Sequence, residues 1–127
     1  MSVRREIIAA PAGAPDPSPA SPAVRASDFI FVSGLTAVDL QTGERVSGTT
    51  ANETRVILGN LKALLEATGS SLERVVKVNV LFHSMLEAPN MNEVYARYFP
   101  DPPPARTVCG ARLPDGVKVI IECTALA

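Results

Sequence analysis

The feature that most constrains the fold of this chain is a helix-like segment followed at once by a strand-like one. An apolar stripe with helical spacing runs through "TTANETRVILGNLKALLEATG" (49–69), formed by Ile57, Leu61, Leu64 and Leu65. Apolar side chains alternate in the next segment, "RVVKVNVLFH" (74–83), at Val76, Val78, Val80 and Phe82. The sequence therefore predicts a long amphipathic helix followed by a strand with one apolar face.

Local signals mark both ends of the predicted helix. Thr50, with Glu53 three residues later, resembles a capping box, in which the two side chains satisfy the first free N–H groups of a helix. Gly69 is suited to end the helix, because glycine adopts the positive φ that many helix C-termini require. The pattern predicts a helix over residues 49–69.

The remaining segments complete an α+β pattern. In chain order they are a short strand "REIIA" (5–9), an extended Pro-rich loop (10–22), a strand "FIFVSG" (29–34), a turn "QTGE" (41–44) and a second helix "APNMNEVYARYF" (88–99). Pro89 suits the first turn of that helix, and "PDPPP" ends it. This order predicts one domain over residues 1–127, with two helices on one face of a mainly antiparallel sheet. The other face is then free for a partner subunit or a ligand.

The C-terminal segments "ARTVCGARL" and "VKVIIECTA" flank a "PDG" turn and are predicted to close the fold as a hairpin. Gly116 can supply the positive φ that such a turn needs. With these three residues in the loop, Val108 opposes Glu122 and Arg106 opposes Thr124. Arg106 and Glu122 then become diagonal neighbours on one face, with backbones roughly 7–8 Å apart.

Two interpretations of this arginine and acid remain open. They can form a cross-strand salt bridge on a solvated face, which contributes little to stability. Alternatively, they form an anion site. In that case Arg106 grips a carboxylate through its planar fork, and Glu122 acts as a general base on water.

The composition argues against several other classes of protein. A formal net charge of −1 does not favour a nucleic-acid partner, and no apolar run approaches the length of a membrane span. The N-terminal segment lacks the apolar core of a signal peptide, so a cytoplasmic protein with reduced Cys109 and Cys123 is expected. One histidine, His83, and two cysteines do not predict a zinc site, and we expect no metal or other cofactor.

After about residue 18, the segments "FIFVSG", "TGE", "ATG", "RVVKVNVLF", "MNEVYARYFP", "PPAR" and "ARLPDGVKVIIE" follow one another as they do in the RidA/YjgF family. The sequence resembles this family, whose members are described as endoribonuclease L-PSP-like or as reactive enamine/imine deaminases. The resemblance implies a chorismate-mutase-like α+β fold. It also implies a homotrimer whose sheets form a central barrel, with ligand clefts between subunits.

The resemblance also implies a site. The arginine of the family's "PAR" motif, here Arg106, would bind the carboxylate of a 2-imino acid while water attacks the imine carbon and releases ammonia and a 2-keto acid. Ser33, Gly34, Asn92 and Cys109 match family positions that line the cleft.

Three departures from the family pattern leave two functions open. Ala20 stands where active deaminases carry a tyrosine, and Ile120 where they carry a glutamate, so that Glu122 matches a second acid. The run between Arg106 and the turn is also one residue shorter than usual. The chain is therefore either an imine/enamine deaminase or a trimeric binding protein for small keto acids. Ribonuclease activity lacks support, because the sequence has no basic groove and no paired histidines.

Overall fold

Two α-helices lie on one face of a six-stranded mixed sheet in the computed structural model, which describes residues 4–9 and 19–127. The elements in chain order are β1 (Arg5–Ile8), β2 (Ala23–Ala26), β3 (Phe29–Leu35), α1 (Thr50–Ala67), β4 (Val75–Phe82), α2 (Ala88–Tyr98), β5 (Ala105–Gly110) and β6 (Val119–Leu126). The strand order across the sheet is β1-β2-β3-β6-β4-β5, and only the β4–β5 pair is parallel among these six strands. This confirms the predicted fold class.

The core lies between the helices and one face of the central strands. The side chains that alternate into it from β3, β4 and β6 are Ile30, Val32, Val78, Val80, Phe82, Val119, Ile121, Cys123 and Ala125. The whole predicted apolar stripe of α1 is buried, and Gly69 follows that helix with φ +87°, as predicted. Val76 departs from the predicted face, because the register of β4 shifts between Val75 and Lys77 and leaves Val76 39% exposed.

The predicted closing hairpin is wrong, because β4 lies between β5 and β6. Strand β5 pairs with β4 in parallel, with Arg106 beside Val78, while β6 pairs with the other edge of β4, with Glu122 opposite Asn79. The turn itself forms, and Gly116 has φ +81°. However, a turn is a local feature and does not determine which strand the chain pairs with next. The apolar strand β4 satisfies the backbone groups of both its edges in this arrangement.

The capping box is also misplaced by one residue. Thr49 is the N-cap, and its hydroxyl accepts a hydrogen bond from the Asn52 amide at 3.1 Å. Thr50 is buried, and Glu53, only 2% exposed, accepts the Lys118 amide at 3.1 Å instead of turning back to the helix start. A contact distant in sequence has therefore taken the place of the predicted local one.

We expect Thr49→Ala to lower the free energy of unfolding by about 1 kcal/mol, because an N-cap side chain satisfies an otherwise free N–H group of the helix. Thr49→Ser keeps the hydroxyl and should stay close to wild type. Urea unfolding monitored by circular dichroism measures both variants. Equal stability of the alanine and serine variants would argue against Thr49 as the cap.

Near the N-terminus, the described residues add a strand that the sequence pattern did not predict. Strand β2 pairs with β1 and β3, and Ser27 takes a positive φ of 54° in the turn between β2 and β3. Most of the predicted Pro-rich loop (10–22) lies outside the described residues. The predicted turn at 41–44 is confirmed by the bridge between Val38 and Arg45.

In the described part of the chain, no helix has both the length and the apolar character needed to cross a membrane.

Candidate functional site

The fold places Arg106 at the edge of the sheet, on the face that the helices cover. Its Nη1 donates a hydrogen bond to Asn92 Oδ1 at 2.7 Å. The guanidinium carbon lies 4.8 Å from the centre of the Tyr95 ring, a cation–π distance. Asn92 and Tyr95 are three residues apart on α2, so both face β5. We call Asn92, Tyr95 and Arg106 the Arg106 cluster.

Most N–H donors of the Arg106 guanidinium have no hydrogen-bond partner among the described residues. A guanidinium carries several N–H donors in one plane and suits bidentate binding of a carboxylate. Among residues 4–9 and 19–127, no carboxylate forms a salt bridge with Arg106, and its side chain makes the single hydrogen bond to Asn92. The arginine is therefore oriented by neutral groups, and its charge is available to an anion.

A groove of about 510 Å³ lies beside this guanidinium, between α2 and the proline-rich segment before β5. It is lined by Tyr95, Ala96, Phe99, Pro100, Asp101, Pro103, Pro104 and Arg106. Its volume falls within the range of small-molecule sites, and most of its lining is apolar. The groove beside Arg106 is therefore large enough to hold a small molecule.

Burial raises the pKa of two side chains, Tyr95 of the Arg106 cluster and Cys123 of the core. It raises the pKa of the Tyr95 phenol from 10.0 to about 12, against a smaller opposing effect of the Arg106 charge. It also raises the pKa of the Cys123 thiol from 9.0 to about 12, with a further contribution from the charge of Glu122. Both groups are therefore neutral at physiological pH, and the arginine stacks on an uncharged ring.

These shifts predict a loss of stability at alkaline pH. A neutral acid whose pKa is raised by folding contributes stability fully below its unfolded pKa and loses it as the pH rises through the folded value. For Tyr95 the loss runs from about pH 10 to about pH 12. We expect Tyr95→Phe to show a shallower decline of unfolding free energy than wild type over this window. Tyr98→Phe is the matched control, and parallel curves for wild type and Tyr95→Phe would contradict the prediction.

Glu122 does not join the Arg106 cluster. Its Oε1 accepts a hydrogen bond from Asn79 Nδ2 at 2.9 Å on the sheet face away from the helices, which we call the open face. Arg106 aligns with Val78, whose side chain is buried under the helices, so Arg106 and Glu122 occupy opposite faces. The predicted diagonal pairing on one face is therefore wrong, whereas a catalytic role for Glu122 stays a prediction.

Ser33 and Gly34 form a separate group on β3. The Ser33 hydroxyl donates to the Ser21 carbonyl at 2.5 Å. A Cβ on Gly34 would lie 2.9 Å from Ile120 Cγ2, so any larger residue there would force the Ile120 side chain or the backbone to shift. Because β6 and β4 separate β3 from β5, these residues lie about 14 Å from the arginine strand by strand spacing alone. Within one chain they do not reach Arg106.

The remaining predicted site residues, Asn92 and Cys109, also lie on different sides of the sheet. Asn92, which the resemblance places in the cleft, contacts Arg106 directly. Cys109 is exposed and aligns with Leu81, which places it on the open face, away from the arginine. Tyr95 packs in the core and also supports the guanidinium, although the sequence pattern did not mark it as a site residue. Its position one helical turn after Asn92 is the sequence signal that could have revealed this role.

A match to a family model identifies the family of this chain. The sequence matches the family model described as Endoribonuclease L-PSP over residues 13–127. The chain belongs to this family, which is also the RidA/YjgF family. The resemblance noted from the short segments is thereby confirmed.

Individual family members show how close the relationship is. A RutC family protein of Pyrococcus horikoshii is 45% identical over 114 residues, which cover 88% of this chain and 90% of that protein. A protein of Dermatophagoides farinae named 2-iminobutanoate/2-iminopropanoate deaminase is 37% identical over 124 residues, covering 96% and 95%. The crystal structure of RidA from an Antarctic Psychrobacter species has a TM-score of 0.87 and 30% identity, covering 96% of this chain and all of that one.

Proposed function

We propose that this protein hydrolyses reactive 2-imino acids, or their enamine tautomers, to 2-keto acids and ammonia, with the substrate carboxylate on Arg106. The observation that carries the proposal is the oriented guanidinium of the Arg106 cluster, which has free donors and no acidic partner in the described residues. Two relatives, one named Reactive Intermediate Deaminase A and the other 2-iminobutanoate/2-iminopropanoate deaminase, support the reaction type.

Hydrolysis of a reactive imine depends more on the orientation of the substrate than on strongly acidic or basic catalytic groups. Water adds to the imine carbon, the resulting carbinolamine loses ammonia, and the carbonyl of the 2-keto acid remains. Binding the carboxylate holds the imine in one orientation for attack, which converts a random encounter into an oriented one. No redox step or external cofactor is needed, because water supplies the oxygen and both hydrogens that balance the reaction.

We further propose that the complete site forms in clefts between the subunits of a homotrimer. Ser33 and Gly34 lie too far from Arg106 to act on the same small molecule within one chain. Glu122 lies on the opposite face from Arg106, so its proposed role as base also requires a second copy of the chain. The uncovered face of the sheet, with Phe29 39% and Phe31 47% exposed, supports such packing.

A second candidate function is non-catalytic binding of small keto acids. It is favoured by Ile120, an apolar residue, which lies against Gly34 where the family usually carries a glutamate. Arg106 would then hold a stable 2-keto acid without activating water. Both candidates use no nucleic acid and no membrane. The two free cysteines, Cys109 and Cys123, support a cytoplasmic location for either.

One assay separates the two functions. Generating 2-iminobutanoate in situ and following ammonia and 2-ketobutanoate should show a rate above spontaneous hydrolysis that is proportional to protein concentration. A rate equal to the spontaneous one would reject the deaminase. Saturable binding of 2-ketobutanoate in titration calorimetry would then support the binding function, and its absence would reject both candidates.

A further inference from the structure

The groove beside Arg106 has one wall built from aromatic side chains at the end of α2. Tyr95 and Phe99 are one helical turn apart in sequence, and their ring centroids are 4.7 Å apart. Both side chains are buried in the core. Because the core of the same chain holds these rings, the wall stays in place whether or not other copies of the chain cover the open face.

The segment between α2 and β5 forms the other wall of the groove. Its sequence is "PDPPP" (100–104), and Pro100, Asp101, Pro103 and Pro104 line the groove. A proline has no backbone N–H and a fixed φ, so this wall presents ring carbons on a stiff backbone. The groove is therefore apolar over most of its surface, and its charged groups are the Arg106 guanidinium and the Asp101 carboxylate.

We propose that this groove makes the protein prefer 2-imino acids with a bulky apolar side chain, an inference that rests on the deaminase function proposed above. With the substrate carboxylate on Arg106, the ethyl group of 2-iminobutanoate would cover little of a groove of about 510 Å³. A branched or aromatic side chain covers more of the apolar walls and releases more water from them, which strengthens binding. The imine that corresponds to leucine, 2-imino-4-methylpentanoate, represents this class.

Asp101 adds a selection against acidic substrates. Among the residues that the structure describes, Asp101 forms no salt bridge with Arg106, so its negative charge is not neutralised by that guanidinium. Like charges repel one another at short range. The second carboxylate of 2-iminopentanedioate, the imine that corresponds to glutamate, would therefore be repelled in the groove, whereas an uncharged side chain would not.

Ala96 sets the room that the substrate side chain has on the α2 side of the groove. It lines the groove, is exposed and carries only a methyl group. A larger residue at this position would fill part of the groove without displacing core side chains. Leucine has a high helix propensity, so Ala96→Leu should fold as wild type does. Substrate size can therefore be tested at Ala96 without changing the Arg106 cluster.

The test compares kcat/KM for the three imines, each generated in situ. We expect wild type to favour 2-imino-4-methylpentanoate over 2-iminobutanoate by about tenfold or more, because added methylene groups in an apolar pocket discriminate by at least that factor. Ala96→Leu should remove most of this preference by slowing the larger substrate. Ala63→Leu, the same change at an exposed residue of α1, should keep the wild-type preference. 2-Iminopentanedioate should be the poorest substrate, and Asp101→Asn should improve its hydrolysis alone.

A binding measurement tests the same preference without catalysis. In titration calorimetry of wild type, the keto acid 4-methyl-2-oxopentanoate should bind about tenfold more tightly than 2-ketobutanoate. The inference would be overturned if the smaller compound matched the larger one in kcat/KM or in affinity, or if Ala96→Leu kept the wild-type preference. Hydrolysis of no imine above the spontaneous rate would instead reject the deaminase function, and the two keto-acid affinities would still decide which side chains the groove prefers.

Discussion

Replacing Arg106 with alanine should lower kcat/KM for 2-iminobutanoate hydrolysis by at least about 100-fold, the largest functional effect expected of any single substitution. The physical reason is the loss of two charge-assisted hydrogen bonds to the substrate carboxylate, each of which contributes about 1.5–3 kcal/mol. Asn92 and Tyr95 would still be in place but would have no cation to orient. Coupled detection of 2-ketobutanoate measures the effect.

Two further variants test which property of the Arg106 side chain the reaction needs. Arg106→Lys keeps the charge but not the planar fork, so its kcat/KM should lie between wild type and the alanine variant. Arg97→Ala is the matched control, because Arg97 is an exposed arginine of α2 that pairs with Glu93 at 3.5 Å. Its activity should equal that of wild type. Full activity in Arg106→Ala would show that Arg106 does not bind the substrate carboxylate.

The largest expected effect on stability is that of Leu61→Ala. Leu61 is 1% exposed and belongs to the buried stripe of α1. Truncating a buried leucine removes transfer free energy and leaves a cavity, so the free energy of unfolding should fall by about 3–5 kcal/mol. Urea denaturation at one protein concentration measures the change.

Leu86→Ala is the matched control for the same chemical change. Leu86 is 87% exposed, just after β4, and its truncation should shift the free energy of unfolding by less than about 0.5 kcal/mol. A similar loss of stability in the two variants would mean that α1 does not pack on the sheet as described.

The elements of this fold were predictable because their signals are local. The helical stripe of α1 and the alternation in β4 each depend on residues close in sequence, and both are present at nearly the predicted bounds. The β4–β5 pairing was not predictable from the same signals. The "PDG" turn forms with Gly116 at positive φ, but the strands on its two sides pair with opposite edges of β4.

The pairing of β5 and β6 with opposite edges of β4 explains why Arg106 and Glu122 do not share one face, as the predicted hairpin would require. Strand side chains alternate, so a changed partner and register can move a residue to the other face. Arg106 therefore lies with Asn92 under the helices, and Glu122 lies with Asn79 on the open face. Glu53 shows the same limit on a helix, since its partner is the Lys118 amide, 65 residues away, rather than the neighbouring cap.

The most direct test is a crystal structure of the protein with 2-ketobutanoate bound. We expect the ligand carboxylate at about 2.7–2.9 Å from the guanidinium nitrogens of Arg106, beside Asn92 and the Tyr95 ring. A ligand bound elsewhere, with the Arg106 guanidinium in contact with protein groups alone, would contradict this expectation.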